Sequence, residues 1–145
     1  MIKPFVSDPP RVNPPVAPSL PSILVVDSDE SLCQSRALLL ANLGRPIHRA
    51  AGYPDVCSLS PTECFALVLI SLLPSQHEAE RIAAYARRQW PGAKLLLLGK
   101  LQGEFYDALY DEVLEPLFDP VALLQVSKLL LASSGAKHHQ RWELY

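Results

Sequence analysis

Long apolar runs, glycine-rich loops and paired cysteines are all missing from this 145-residue chain. No run approaches the length a bilayer crossing needs, so no membrane span is expected. The opening MIKPFVSDPP is broken by prolines and has no continuous apolar stretch, so it does not resemble a secretory signal. Cysteine is sparse and odd in number: Cys33, Cys57 and Cys64 show no CxxC spacing. Disulfide scaffolds are denser and even-numbered, so reduced thiols in a cytoplasmic protein are expected. Cys33 and Cys64 sit among apolar residues and are expected to pack as small hydrophobes. An excess of one charge sign is missing too, with 13 basic against 15 acidic residues and a formal charge of −2. That balance offers no broad basic field, so neither nucleic acid nor an anionic membrane is an expected partner. No H-E-x-x-H, G-x-S-x-G or P-loop pattern occurs, and His48, His77, His138 and His139 are too scattered to form a metal box.

What the chain does have is a hydrophobic fraction of 49%, ample for one domain with a real core. Residues 1–21 carry Pro4, Pro9, Pro10, Pro14, Pro15, Pro18 and Pro21. Proline removes a backbone donor and fixes φ, so a disordered, polyproline-like leader is expected there. Residues 22–132 read as the folded domain. Residues 133–145 form a tail whose stretch from Lys137 to Tyr145 mixes basic and aromatic residues.

Within the domain, Ser22 to Asp27 (SILVVD) is an apolar run that ends on an acid, the pattern of a strand buried on both faces. Asp29 to Leu43 predicts a helix with Leu32, Leu39, Leu40 and Leu43 as its apolar residues, stopped by Gly44 and Pro46. Pro46 to Ala51 is a weaker strand, Tyr53 to Leu59 a short helix and Ala66 to Ser71 a second buried strand. Ser75 and Glu78 have capping-box spacing and open a helix to about Trp90, where Pro91-Gly92 ends it. Lys94 to Leu98 is strand-length between Gly92 and Gly99. Gly103 to Leu109 is a short helical candidate and Glu112 to Leu114 a short strand. Asp119-Pro120 then starts a helix through about Leu131. Alternating strands and helices imply an α/β, doubly wound parallel sheet with helices on both faces.

In such a sheet, chemistry collects at the carboxyl ends of the strands. Those ends are Asp27-Ser28-Asp29, Ser71 to Pro74, Gly99-Lys100 and Glu115-Pro116. The loop DSDE is acidic and free of glycine, the wrong chemistry for cradling a nucleotide or flavin phosphate. No cofactor is expected.

Taken together, VVDSDE, LVLISLLP, LLLLGK and VLEPLFDP resemble the signature turns of the receiver domain of bacterial two-component response regulators. The resemblance spans about Ser22 to Ala132. It implies a flavodoxin-like, five-stranded sheet of order 2-1-3-4-5. It also implies two acids after the first strand that hold Mg²⁺ and an aspartate ending the third strand that accepts phosphate. A hydroxyl residue ends the fourth strand, and a lysine precedes a proline after the fifth. At 145 residues, no full DNA-binding effector domain is expected beside the receiver-like domain.

The chain departs from that pattern at nearly every position. Asp27 keeps the first acid, Ser28 replaces the second, and Asp29 lies one residue along. The phospho-acceptor position falls on Ser71 when aligned from the start of the strand, or on Ile70 when aligned from Pro74. Gly99 replaces the hydroxyl, Lys100 follows it, and Glu115 stands before Pro116 where the lysine is expected. Aspartyl phosphorylation needs a carboxylate nucleophile, a divalent cation and cationic help for the phosphoryl group. Replacing lysine with glutamate shifts the local charge by two units in the wrong direction.

Three arrangements of the altered pocket are open at this point. Lys100 pairs with Glu115 or Asp27; or Asp27, Asp29 and Glu115 gather around a divalent cation; or the acids are merely solvated. The resemblance also implies an aromatic switch residue shortly before the lysine-proline pair; here Glu112 and Val113 occupy that stretch and Tyr106 and Tyr110 lie upstream. The expectation is a pseudo-receiver that is not an enzyme and binds protein partners in bacterial signalling or regulation. Its partner face, for other proteins or for a second copy of the chain, is expected around Gly103 to Leu131. The alternative is a ligand- or cation-sensing domain, or a residual phosphotransfer receiver, working through the rebuilt pocket.

Overall fold

The computed structural model describes residues 20–71, 75–99, 109–115 and 119–133. In chain order these residues form β1 (Ser22–Val26), α1 (Glu30–Leu40), a 3₁₀ turn (Ala41–Leu43), β2 (Ile47–Ala50), α2 (Tyr53–Cys57) and β3 (Phe65–Ser71). There follow α3 (Gln76–Gln89), β4 (Lys94–Leu98), β5 (Glu112–Leu114) and α4 (Pro120–Ala132). The helix expected at Gly103 to Leu109 lies outside the described residues, apart from Leu109 itself.

All neighbouring strands pair in parallel, in the order β2-β1-β3-β4-β5. The sheet is therefore the flavodoxin-like one expected. Helices cover both faces, which is why every residue of β1 and β4 is buried and neither strand shows polar alternation. On one face Leu24, Val26, Val68, Ile70, Leu95 and Leu97 pack against Val56 of α2 and Ala79, Ile82, Ala83 and Ala86 of α3. The small alanines let α3 lie close to the sheet. Phe65, Trp90 and Tyr110 fill the amino end of that layer, with the Phe65 and Trp90 rings edge-to-face at 4.7 Å. On the other face Ile23, Val25, Leu67, Leu69, Leu96 and Leu98 meet Cys33 and Leu40 of α1 and Leu123 and Leu130 of α4.

The helix ends follow from local chemistry. Asp29 caps α1 by accepting the Leu32 N–H at 3.0 Å, and Asp119 caps α4 by accepting the Ala122 N–H at 2.7 Å. Gly44 closes the 3₁₀ turn after α1 at φ +79°, a left-handed conformation that favours glycine. Ser75 caps α3 by accepting the Glu78 N–H at 3.1 Å. The Glu78 side chain does not complete the expected capping box. It accepts the Tyr53 N–H instead, at 2.9 Å, and so ties the start of α3 to the start of α2.

Two packing expectations are corrected. Leu32 is 39% exposed, because the inward stripe of α1 runs through Cys33, Arg36, Ala37 and Leu40. Cys64 is exposed in the loop before β3, where its carbonyl accepts the Ser22 N–H; of the three thiols only Cys33 is buried. No described helix is long and apolar enough to cross a membrane.

Candidate functional site

Sheet register builds the rim at the carboxyl end. The β1–β3 ladder ends with Val26 beside Ile70, which sets Asp27 and Ser71 side by side one step further on. The β4–β5 ladder ends with Leu98 beside Leu114, which sets Gly99 next to Glu115. Two-residue alternation carries Asp27 to the face covered by α1, along with Ile23 and Val25. Ser71 is buried at the end of β3, whereas Ile70 is fully buried in the core of the opposite face. Of the two alignments weighed from sequence, register thus puts Ser71 at the rim.

Asp27 is the centre of this rim. Its side chain has no exposure to solvent, so its charge must be compensated inside the protein. One carboxylate oxygen, Oδ1, accepts the Asp29 N–H at 2.8 Å. The other, Oδ2, forms a salt bridge with Nη1 of Arg36, whose side chain is 18% exposed. Arg36 was not among the residues singled out from sequence, yet a signal for it exists. It lies three residues after Cys33 and four before Leu40, on the stripe of α1 that faces the sheet. A lone charge on an inward stripe, opposite an acid that ends the adjacent strand, is the pattern of a buried pair.

The neighbouring thiol reports on the same environment. Cys33 Sγ lies 3.6 Å from the Val25 carbonyl oxygen. Burial raises its pKa above the usual thiol value, and the Asp27 carboxylate raises it further. A thiol held protonated in this way is a poor nucleophile.

The remaining rim residues do not converge on Asp27. Ser28 and Asp29 are exposed, and the Asp29 carboxylate is occupied as the α1 cap. Glu115 is exposed where β5 ends. The backbone at Gly99 has φ +150°, which L side chains rarely adopt, and its N–H donates to the Leu114 carbonyl at 2.8 Å. A residue with a side chain would be strained in that backbone. Lys100 and Pro116 lie outside the described residues, and with them the expected pairing of Lys100 with Glu115 or Asp27.

Among the described residues no three His, Cys, Asp or Glu side chains are placed to hold a metal ion. Asp27, Asp29 and Glu115 are all described, so the cation cluster weighed from sequence does not form. The residues present do not fit Mg²⁺. The acid that would bind it is already matched by Arg36, and its neighbour is turned to cap a helix. His48 lies apart on β2, where its Nε2 is 3.3 Å from a Glu63 carboxylate oxygen.

No protein-family model matches the sequence, and no curated protein matches it either. Solved structures do match the fold. A CheY-like response regulator receiver domain protein from Methanospirillum hungatei JF-1 superposes with a TM-score of 0.68 at 23% identity, covering 78% of this chain and 94% of that one. The response regulator TrrA from Thermotoga maritima, in complex with Mg²⁺ and a beryllium fluoride, gives 0.66 at 20% identity, covering 77% and 99%. A chain described as an adenylate cyclase from Rhodopirellula baltica gives 0.64 at 16% identity, covering 76% and 86%. The fold is that of the response-regulator receiver domain.

Proposed function

We propose that this chain is a phosphorylation-independent pseudo-receiver, a cytoplasmic protein-interaction module in bacterial signal transduction or regulation and not an enzyme. The observation that carries the proposal is Ser71. The residue that ends β3 beside Asp27 is a hydroxyl where phosphoryl transfer to this fold needs a carboxylate. A serine hydroxyl needs a base to become a nucleophile, and Asp27 is already engaged with Arg36. With Glu115 beyond β5, the rim also carries an acid where a transferred phosphoryl group needs a cation.

The partner face proposed from sequence, around Gly103 to Leu131, includes β5 and most of α4. Support comes from α4, whose sequence PVALLQVSKLLLA has few polar residues. Val121 is 61% and Leu129 52% exposed on it, so two apolar side chains of this helix are available to a partner.

The deciding experiment is incubation with labelled acetyl phosphate and Mg²⁺. No incorporation is expected. Stable incorporation that disappears in Ser71→Ala would overturn the proposal. For the partner face, Leu129→Glu should weaken capture of a partner, or self-association by light scattering, while leaving circular dichroism unchanged.

A further inference from the structure

We infer that Arg36 is a built-in counter-ion. It holds the place that a dissociable divalent cation would need at Asp27, and so makes the strand-end pocket indifferent to metal. The inference deepens the phosphorylation-independent reading above and rests on it for its functional meaning.

The argument starts from the burial of Asp27. A carboxylate with no solvent exposure requires a positive charge or several donors at hand. Both of its oxygens are met from within α1 and its approach: Oδ1 by the Asp29 N–H and Oδ2 by the Arg36 guanidinium. A hard cation such as Mg²⁺ takes oxygen ligands in a near-octahedral shell. It would have to displace a guanidinium of the same sign from the one buried carboxylate among the described residues of the rim. The second acid gives no help, because the Asp29 carboxylate is committed to the Leu32 N–H.

The position of Arg36 is set by packing and does not depend on an ion concentration. Cys33 and Leu40, buried on either side of it along α1, fix which face of the helix meets the sheet. An ion would leave when its concentration fell. A guanidinium carried on a packed helix stays, and keeps the charge of the pocket constant.

The test is thermal unfolding of the full chain with and without millimolar MgCl₂, against KCl of matched ionic strength. The wild-type midpoint should not respond to Mg²⁺. Arg36→Met leaves Asp27 buried without its partner and should lower the midpoint on the order of 10 °C. Mg²⁺ should then restore part of that loss. Adding Asp27→Asn to Arg36→Met removes both charges, and should recover stability without metal and show no Mg²⁺ response. If Arg36→Met is unfolded without metal, refolding on addition of Mg²⁺ supports the inference and failure to refold overturns it. A wild-type response to Mg²⁺, or a folded Arg36→Met that ignores it, also overturns it. These outcomes separate from those of acetyl phosphate labelling. A metal-responsive wild type that takes no label sinks the counter-ion alone, and a labelled wild type that ignores Mg²⁺ sinks phosphorylation independence alone.

Discussion

Two arginine–aspartate pairs sit at opposite ends of the same sheet, and they serve different ends. At the carboxyl end Arg36 of α1 meets Asp27, whose side chain is wholly buried. At the amino end Arg87 of α3 meets Asp111 at 3.1 Å, with side-chain exposures of 25% and 12%. Asp111 is also bonded into the backbone. Its Oδ2 accepts the Leu95 N–H at 2.8 Å, its own N–H donates to the Leu95 carbonyl, and Arg87 donates to the Leu109 carbonyl. That pair is a staple: it fastens the entry to β5 onto β4 and α3. The Arg36–Asp27 pair is tied to the turn that leads into α1, through the Asp29 N–H. It lies where receiver-type folds carry their chemistry, and what it controls is charge. The same two residue types thus act as a clasp at one end and as a plug at the other.

The comparison can be broken first at the plug. Arg36→Met should cost about 3–5 kcal/mol by denaturant titration, because it strands a buried carboxylate. Asp27→Asn should cost clearly less, since the charge it leaves unpaired, on Arg36, is 18% exposed where the Asp27 carboxylate has no exposure; equal losses would mean that this difference in burial does not set the cost. Next comes the clasp. Asp111→Ala should cost about 2–3 kcal/mol, through a lost ion pair and an unpaired Leu95 N–H. Asp111→Asn keeps an acceptor for that N–H and should recover part of the loss. Neither change should create a response to Mg²⁺, and one that did would collapse the distinction between the two ends.

A smaller effect sharpens the amino end. Tyr110 is buried, its hydroxyl has no hydrogen-bond partner among the described residues, and its pKa is pushed up to about 12 by burial and then by Glu80. Below pH 10 the phenol is neutral in both the folded and the unfolded chain. Between 10 and about 12 the unfolded chain loses this proton while the folded one keeps it, so stability should fall across that window. Tyr110→Phe should flatten the fall and change stability at neutral pH by no more than about 1 kcal/mol. An unchanged slope in that variant would assign the alkaline loss to other groups.

The mildest probe returns to the carboxyl end. Alkylation of the native protein should modify Cys57 and Cys64 and spare Cys33, as mass spectrometry of the peptides would show. Rapid labelling of Cys33 would contradict the tight packing of α1 on β1.

Fold class was readable because helix and strand signals agreed along the chain. SILVVD and ALVLIS are apolar without alternation, and Asp119-Pro120 announces the helix it caps. Tertiary choices were less readable. Glu78 has the right spacing for a local capping box but bonds the backbone of another helix, a competition that spacing does not reveal. Ser71 and Ile70 were both admissible ends for β3 until register with β1 placed one at the rim and the other in the core. Arg36 was legible only in combination. Its meaning depends on the inward stripe of α1 and on Asp27, nine residues earlier, being read together.

The diverted Glu78 bears on the order in which the molecule assembles. Helix α2 has five residues, far below the length at which an isolated helix persists in water. Its anchors include the Glu78 carboxylate, which arrives from 25 residues downstream, and Val56, buried against the sheet. An ideal Cβ at Gly52 would lie 2.7 Å from Glu78 Oε2, so the glycine keeps room for that carboxylate. The segment between β2 and β3 therefore has no fold of its own to contribute early. It precedes β3 and α3 in the chain, yet its helix leans on contacts that those later elements supply.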